Sequence, residues 1–347
     1  GTIIKNGTEI YLRTSQTVSS LSNIEDRTSS FIDVVDYSSL TNESIDVDMT
    51  ESTEQVSLSD GSKDTIIDIE KIIASKQDDN IIGDSNDNIF EGNDGDDTLS
   101  GGAGSDTIDG GAGNDIIDGG SDSDILNGGL GNDTFISSID DGIDTIDGGA
   151  DNDTINYSVE TRDINVTLNQ EVQTTVSIDS TANDLIKNIE NIVTGSGDDI
   201  LIGDDEDNTF VSNSGDDTLS GGKGNDYLDA GDNTSVGDTV DYTYINSAIS
   251  YDKGVNVNLE NEIAIDMDNG TLVDQDTLKN IENVIGSKND DSIVGNALDN
   301  TLYGKDGIDI LEGKDGNDSL DAGLGDDILK GGVGDDILNG GLGIDTA

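Results

Sequence analysis

The chain has 347 residues, long enough for more than one domain, with 76 acidic and 15 basic side chains and a formal net charge of -61. That balance excludes a nucleic-acid backbone or an anionic membrane surface as a direct partner, because both demand a positive face. There is no cysteine, histidine, tryptophan or proline, so disulfides and thiolate or imidazole ligation of zinc or copper are excluded, and the abundant oxygens suit a hard cation such as calcium.

Residues 1–34 lie outside any repeat and read as the tail of a preceding module or an N-terminal cap. Within them KNGTEIYLR (5–13) predicts a turn and one alternating strand. The next module, 35–153, opens on VDYSS (35–39), runs through IDVDM from Ile45, and closes on IIDIEKIIA (66–74). Strict alternation predicts a strand with one buried face. The closing segment is short and rich in Ile and Val, which predicts strands in place of a helix.

From Gly92 a nine-residue unit takes over, G-G-x-G-x-D-x-U-x with U a large apolar residue. Its sixth position gives Asp97, Asp106, Asp115, Asp124 and Asp133, and its eighth Leu99, Ile108, Ile117, Leu126 and Phe135. Glycine admits backbone conformations closed to residues with a Cβ, and x-U-x alternates as a short strand. Two nonamers then make one coil of two strands and two turns. Stacked coils align U into a thin core and the aspartates into rows on each edge. Such rows repel unless an oxygen-liganded cation sits between successive turns. The irregular stretch SSIDDGIDTI (137–146) predicts a bulge or turn in the solenoid.

The module 154–239 repeats the plan with INYSV (155–159), INVTL from Ile164 and LIKNIENIV (185–193). Its short roll carries Asp199, Asp217 and Asp226 at position six and decays at DAGDNTSVGDTV (229–240). The module 240–347 opens on VDYTY (240–244), with VNVNL from Val255 and LKNIENVIG (278–286). Its sixth positions include Asp291, Asp309, Asp318, Asp327, Asp336 and Asp345, and the chain stops inside a repeat, so it reads as part of something longer. Asn88, Asn208 and Asn300 stand where an aspartate is expected, as a neutral oxygen ligand or as a turn former near a cap.

This nonapeptide pattern resembles the calcium-binding repeats of the RTX (repeats-in-toxin) family of exported bacterial proteins. The resemblance implies a parallel β-roll, calcium between stacked turns, and export through a one-step secretion channel. The expected fold is all-β, a calcium-binding parallel β-roll (β-solenoid) in several blocks interrupted by strand-rich inserts. The candidate calcium ligands are Asp79, Asp97, Asp106, Asp115, Asp124, Asp133, Asp199, Asp217, Asp226, Asp291, Asp309, Asp318, Asp327 and Asp336. Ligation would hold their carboxyls low, and without calcium the chain is expected to be disordered.

Catalytic chemistry finds little support. Histidine and cysteine are absent, G-x-S-x-G does not occur, and Ser85 in GDSNDN (83–88) is a variable repeat position. The expectation is therefore a non-enzymatic, calcium-stiffened region of an extracellular or bacterial cell-surface protein, of adhesin or surface-layer kind. The alternative is the auxiliary region of a secreted polysaccharide-acting enzyme, toxin or protease. Tyr37, Tyr157, Tyr242, Tyr244 and Tyr251 either stack on sugar rings of a polysaccharide partner or cap the core. No apolar run has membrane-spanning length.

Overall fold

A computed structural model describes residues 4–6, 9–12, 32–51, 55–137, 142–169, 171–233, 235–246, 254–268 and 271–347. Among them every regular element is a short β-strand except the single 3-10 turn Thr243–Asn246. They form two compact units: Gly1–Tyr157 with Glu171–Thr175 and Asn183–Ile189, and Ser158–Gln170 with Val176–Ala182 and Glu190–Ala347.

In the first unit two parallel sheets face one another. One runs through Ile45–Asp48, Asn80–Ile82, Thr98–Ala103, Ile116–Ser121, Thr134–Ile136 and Thr154–Asn156. The other runs through Val34–Asp36, Lys71–Ile73, Ile89–Asp94, Thr107–Ala112, Ile125–Leu130 and Thr145–Ala150. Leu99 pairs with Ile117 and Ile108 with Leu126, so each coil is two nonamers and chain neighbours fall in opposite sheets. The eighth-position residues all point inward: Leu99, Ile117 and Phe135 meet Phe90, Ile108 and Leu126, each buried. Gly111 shows why the turns need glycine: its φ is 112° and a Cβ there would overlap the carbonyl of Asn93 in the preceding coil. Glu9–Leu12 is a strand as expected, and Ile4–Asn6 pairs with it as an antiparallel partner.

In the second unit one sheet runs Ile164–Thr167, Ile200–Ile202, Thr218–Ser220, Thr239–Asp241, Asn283–Ile285, Thr301–Tyr303, Ser319–Asp321 and Ile337–Asn339, all parallel. The facing sheet takes in an insert. Tyr227–Asp229 pairs in parallel with the end of Thr271–Lys279, which turns back antiparallel through Ile263–Asp268 and Val255–Asn258 before Ser292–Val294 resumes the parallel run. The insert is thus accommodated in one sheet while the other passes straight from Thr239–Asp241 to Asn283–Ile285.

The alternating segments are half-buried strands: Ile45 and Val47, Ile164 and Val166, and Val255 and Val257 are buried, with Asp46, Asn165 and Asn256 exposed between them. The closing segments contain strands and no helix: only Lys71–Ile73 in the first, and parts of two strands in each of the others. In the last of them Asn280, at φ 54°, turns the chain from one sheet to the other. The irregular stretches, expected to bulge or turn the solenoid, leave the sheets intact. Ile125 pairs with Thr145 and Thr218 with Thr239; residues 138–141 and 234 lie outside the described residues. Tyr37, Tyr157 and Tyr242 belong to the core, each about 1% exposed, and offer no surface to a sugar. Tyr244 is half-buried, and Tyr251 lies outside the described residues.

Candidate metal centre: rows of aspartates along the roll

Along each row the sixth-position carboxylate accepts from a backbone N–H of the preceding coil in the same way. The backbone N–H of Asp79 donates to Oδ1 of Asp97, Asp97 to Asp115, Asp115 to Asp133 and Asp133 to Asp153, all at 2.8 Å. On the other edge the row is Asn88, Asp106, Asp124, Asp144 and Asp184, at 2.6, 2.7, 2.9 and 3.0 Å. Asp106 and Asp115, one nonamer apart, therefore belong to different rows.

The second unit repeats this. Asp199 donates to Asp217, Asp217 to Asp238, and Asp238 to Glu282. Other rows are Asn208, Asp226 and Asp276; Asp291, Asp309, Asp327 and Asp345; and Asn300, Asp318 and Asp336. Three rows begin at an asparagine. Asn208 and Asn300 donate from Nδ2 to the carbonyls of Glu190 and Glu282, which a carboxylate cannot do. Nδ2 of Asn88 is buried without a partner.

A second row runs the opposite way, one residue earlier in each turn. The N–H of Asn114 donates back to Asp96, Asn132 to Asn114, and Asn152 to Asn132. In the second unit Asn317 donates to Asp299 and Asp335 to Asn317. The signal lay in the fifth position, which is Asp, Asn or Ser through most of the repeats.

With Oδ1 spoken for, the second oxygen decides what the turn can bind. Oδ2 of Asp97, Asp106, Asp115, Asp133, Asp199, Asp217, Asp226, Asp309, Asp318 and Asp327 is buried with no hydrogen-bond partner. The same holds for Asp238, which stands 21 residues from Asp217 and so falls outside the nine-residue spacing, as Asp153 does at 20 residues from Asp133. Asp79 and Asp291 differ. Both their oxygens accept bonds, from Ser75 and Ile45 and from Ser287 and Val255 respectively. Asp336 is only half-buried.

A buried unpaired carboxylate oxygen is costly. In the ion-free chain burial raises these groups first, and neighbouring carboxylates add to it. Asp97 and Asp226 are pushed up to about 8, Asp106, Asp199, Asp238 and Asp309 to about 7, and Asp115 and Asp217 to about 6.

Where a glycine stands five residues before the aspartate, the surroundings of the orphan oxygen fit a hard cation. At Gly110 a Cβ would overlap both Oδ2 of Asp115 and the carbonyl of Gly128 in the next coil, so glycine leaves an oxygen-lined space between two turns. Gly101 with Asp106 and the Gly119 carbonyl, and Gly313 with Asp318 and the Gly331 carbonyl, repeat it. Among the described residues no three acidic side chains gather to hold a metal on their own, so an ion there draws on backbone carbonyls too.

Coils of two nonamers with oxygen-lined, glycine-shaped turns define a calcium-binding parallel β-roll. Over residues 68–99, 100–135, 140–158, 189–219, 202–236, 280–311 and 312–347, more than half its length, the chain matches the RTX calcium-binding nonapeptide repeat (4 copies), and it belongs to that family. No curated protein matches it. Repeats of this family bind calcium at multiple sites and are characteristically non-catalytic. No helix of the described residues is long and apolar enough to cross a membrane.

Proposed function

We propose that the chain is a calcium-ordered structural segment of an exported bacterial protein of adhesin or surface-layer kind, working outside the cell or on its surface. The observation that supports it most is the file of buried, unpaired Oδ2 atoms along each edge, in a chain of formal charge -61. The aspartates with orphan oxygens, Asp238 among them, hold the ions together with backbone carbonyls beside them. When bound, calcium supplies the counter-charge that lets successive acidic turns stack. Repetition of one coil, with cores such as Leu99, Ile117 and Phe135 in line, suits a load-bearing spacer that stiffens only where calcium is plentiful.

Circular dichroism during calcium titration tests this reading. The chain should pass from coil to β as calcium is added and return in excess chelator. Magnesium should substitute poorly, because its small octahedral shell resists carbonyl-rich turns. An unchanged β spectrum in excess chelator would sink the proposal.

A further inference from the structure

The rows of aspartates do not all end alike. In ordinary turns the residue after x-U-x is glycine, and the space of its missing Cβ overlaps Oδ2 of the aspartate five residues on. Gly101 and Asp106, Gly119 and Asp124, and Gly221 and Asp226 show this. After Thr154–Asn156 and Thr239–Asp241 the same position holds Tyr157 and Tyr242. The backbone of Tyr242 behaves as the glycines do: its N–H donates to the Ile285 carbonyl at 2.9 Å, as Gly286 donates to Tyr303 at 2.8 Å. Its side chain goes elsewhere.

The Tyr157 hydroxyl donates to Oδ2 of Asp184 at 2.8 Å, and the Tyr242 hydroxyl to Oδ2 of Asp276 at 3.0 Å. Asp184 and Asp276 are the last members of their rows, with Oδ1 already taken by the N–H groups of Asp144 and Asp226. Earlier in the same rows Asp106 and Asp226 keep Oδ2 unpaired, whereas here a buried phenol fills that oxygen. Burial raises the Tyr242 hydroxyl, so it stays a donor. The arrangement recurs at Tyr37, whose hydroxyl reaches Asp64 at 3.3 Å.

We infer that Tyr157 and Tyr242 close the calcium rows, each hydroxyl taking the carboxylate oxygen that an ion takes elsewhere in the row, so that Asp184 and Asp276 carry no calcium. The inference rests on the calcium reading above. A hydroxyl bonded to an ionised carboxylate is a strong interaction in a buried place, and it satisfies the row end without a metal. The tyrosines are positioning residues: they decide where the file of ions stops and hold the insert strands against the roll.

The test is the calcium content of the full chain at saturating calcium, measured by equilibrium dialysis and elemental analysis. Asp106→Asn and Asp226→Asn should each lower the count. Asp184→Asn and Asp276→Asn, which keep both the shape and an acceptor for the ladder N–H, should leave it at the wild-type value. Loss of ions in Asp184→Asn and Asp276→Asn equal to that in Asp106→Asn overturns the inference. If wild type and Asp106→Asn both bind no calcium, the calcium reading itself fails. Tyr157→Phe and Tyr242→Phe keep the ring and remove only the hydroxyl. In saturating calcium, amides of the strands holding Ile186 and Leu278 should exchange at least about tenfold faster than in wild type, the cost of an unpaired buried carboxylate oxygen. Wild-type exchange in both phenylalanine variants overturns the inference as well.

Discussion

The backbone N–H of Asp97 donates to Oδ1 of Asp115 in the next coil at 2.8 Å, and Oδ2 of Asp115 is left buried and unpaired. One oxygen thus sets the register between coils, and the other is free for an ion. The two tasks of the carboxylate are separable by substitution.

Asp115→Asn keeps an oxygen for the Asp97 N–H but removes the charge and turns Oδ2 into a donor. Calcium affinity at that edge should fall by about tenfold or more, since ligand charge tunes affinity strongly. Calorimetric titration would resolve the weakened class of site, and the row through Asp106 and Asp124 should keep its affinity. An unchanged isotherm would show that Asp115 is not a ligand.

Gly110→Ala should abolish the same site by filling it, because its Cβ overlaps Asp115 Oδ2 and the Gly128 carbonyl. Gly61→Ala is the contrast. Gly61 has φ 88° with nothing within 4 Å, so alanine there costs about 1 kcal/mol of backbone strain and no ion. Calcium counting on the two variants separates a lost cradle from a strained turn.

In chelator the roll should gain structure as the pH falls. Burial raises the folded-state values of Asp115 to about 6, Asp106 to about 7 and Asp97 to about 8, against about 3.9 in an unfolded chain. The folded state therefore binds more protons. Its stability is fully present below the unfolded value and is lost as pH rises through about 6 to about 8. Far-UV circular dichroism in chelator from pH 8 down to pH 4 should show increasing β signal. A loss of signal on acidification would contradict the burial of these groups.

Ile117→Asp places a charge between Leu99 and Phe135, with which Ile117 is in register, in a core only two side chains thick. The cost should be on the order of several kcal/mol, and local, since a coil touches only its neighbours. Hydrogen exchange should quicken in Ile116–Ser121 and its partners while Ile328–Val333 in the other unit stays protected. Equal loss in both would mean a single cooperative unit.

Much of the architecture is legible in the residues. Apolar side chains at every eighth position, with glycines before them, predict a coil of two nonamers, and Leu99 pairing with Ile117 is that coil. The two edges, with Asp106 apart from Asp115, follow from the same spacing. Alternation in IDVDM, INVTL and VNVNL predicts half-buried strands because a strand has a period of two whatever it pairs with.

Periodicity along the chain identifies residues only while turns keep one length. Asp153 and Asp238 stand 20 and 21 residues from their partners Asp133 and Asp217, and fold into the rows all the same, because sheet register is set by backbone pairing across coils. The union of Tyr157 with Asp184, and of Tyr242 with Asp276, spans 27 and 34 residues and has no local signature. Composition and spacing by themselves determined an oxygen-only, cation-seeking β-roll, since charge, glycine and apolar period are properties of the chain. Which carboxylate oxygens stay open and which are closed by a hydroxyl was decided by the tertiary structure alone. That depends on what a turn meets when an insert returns to the roll.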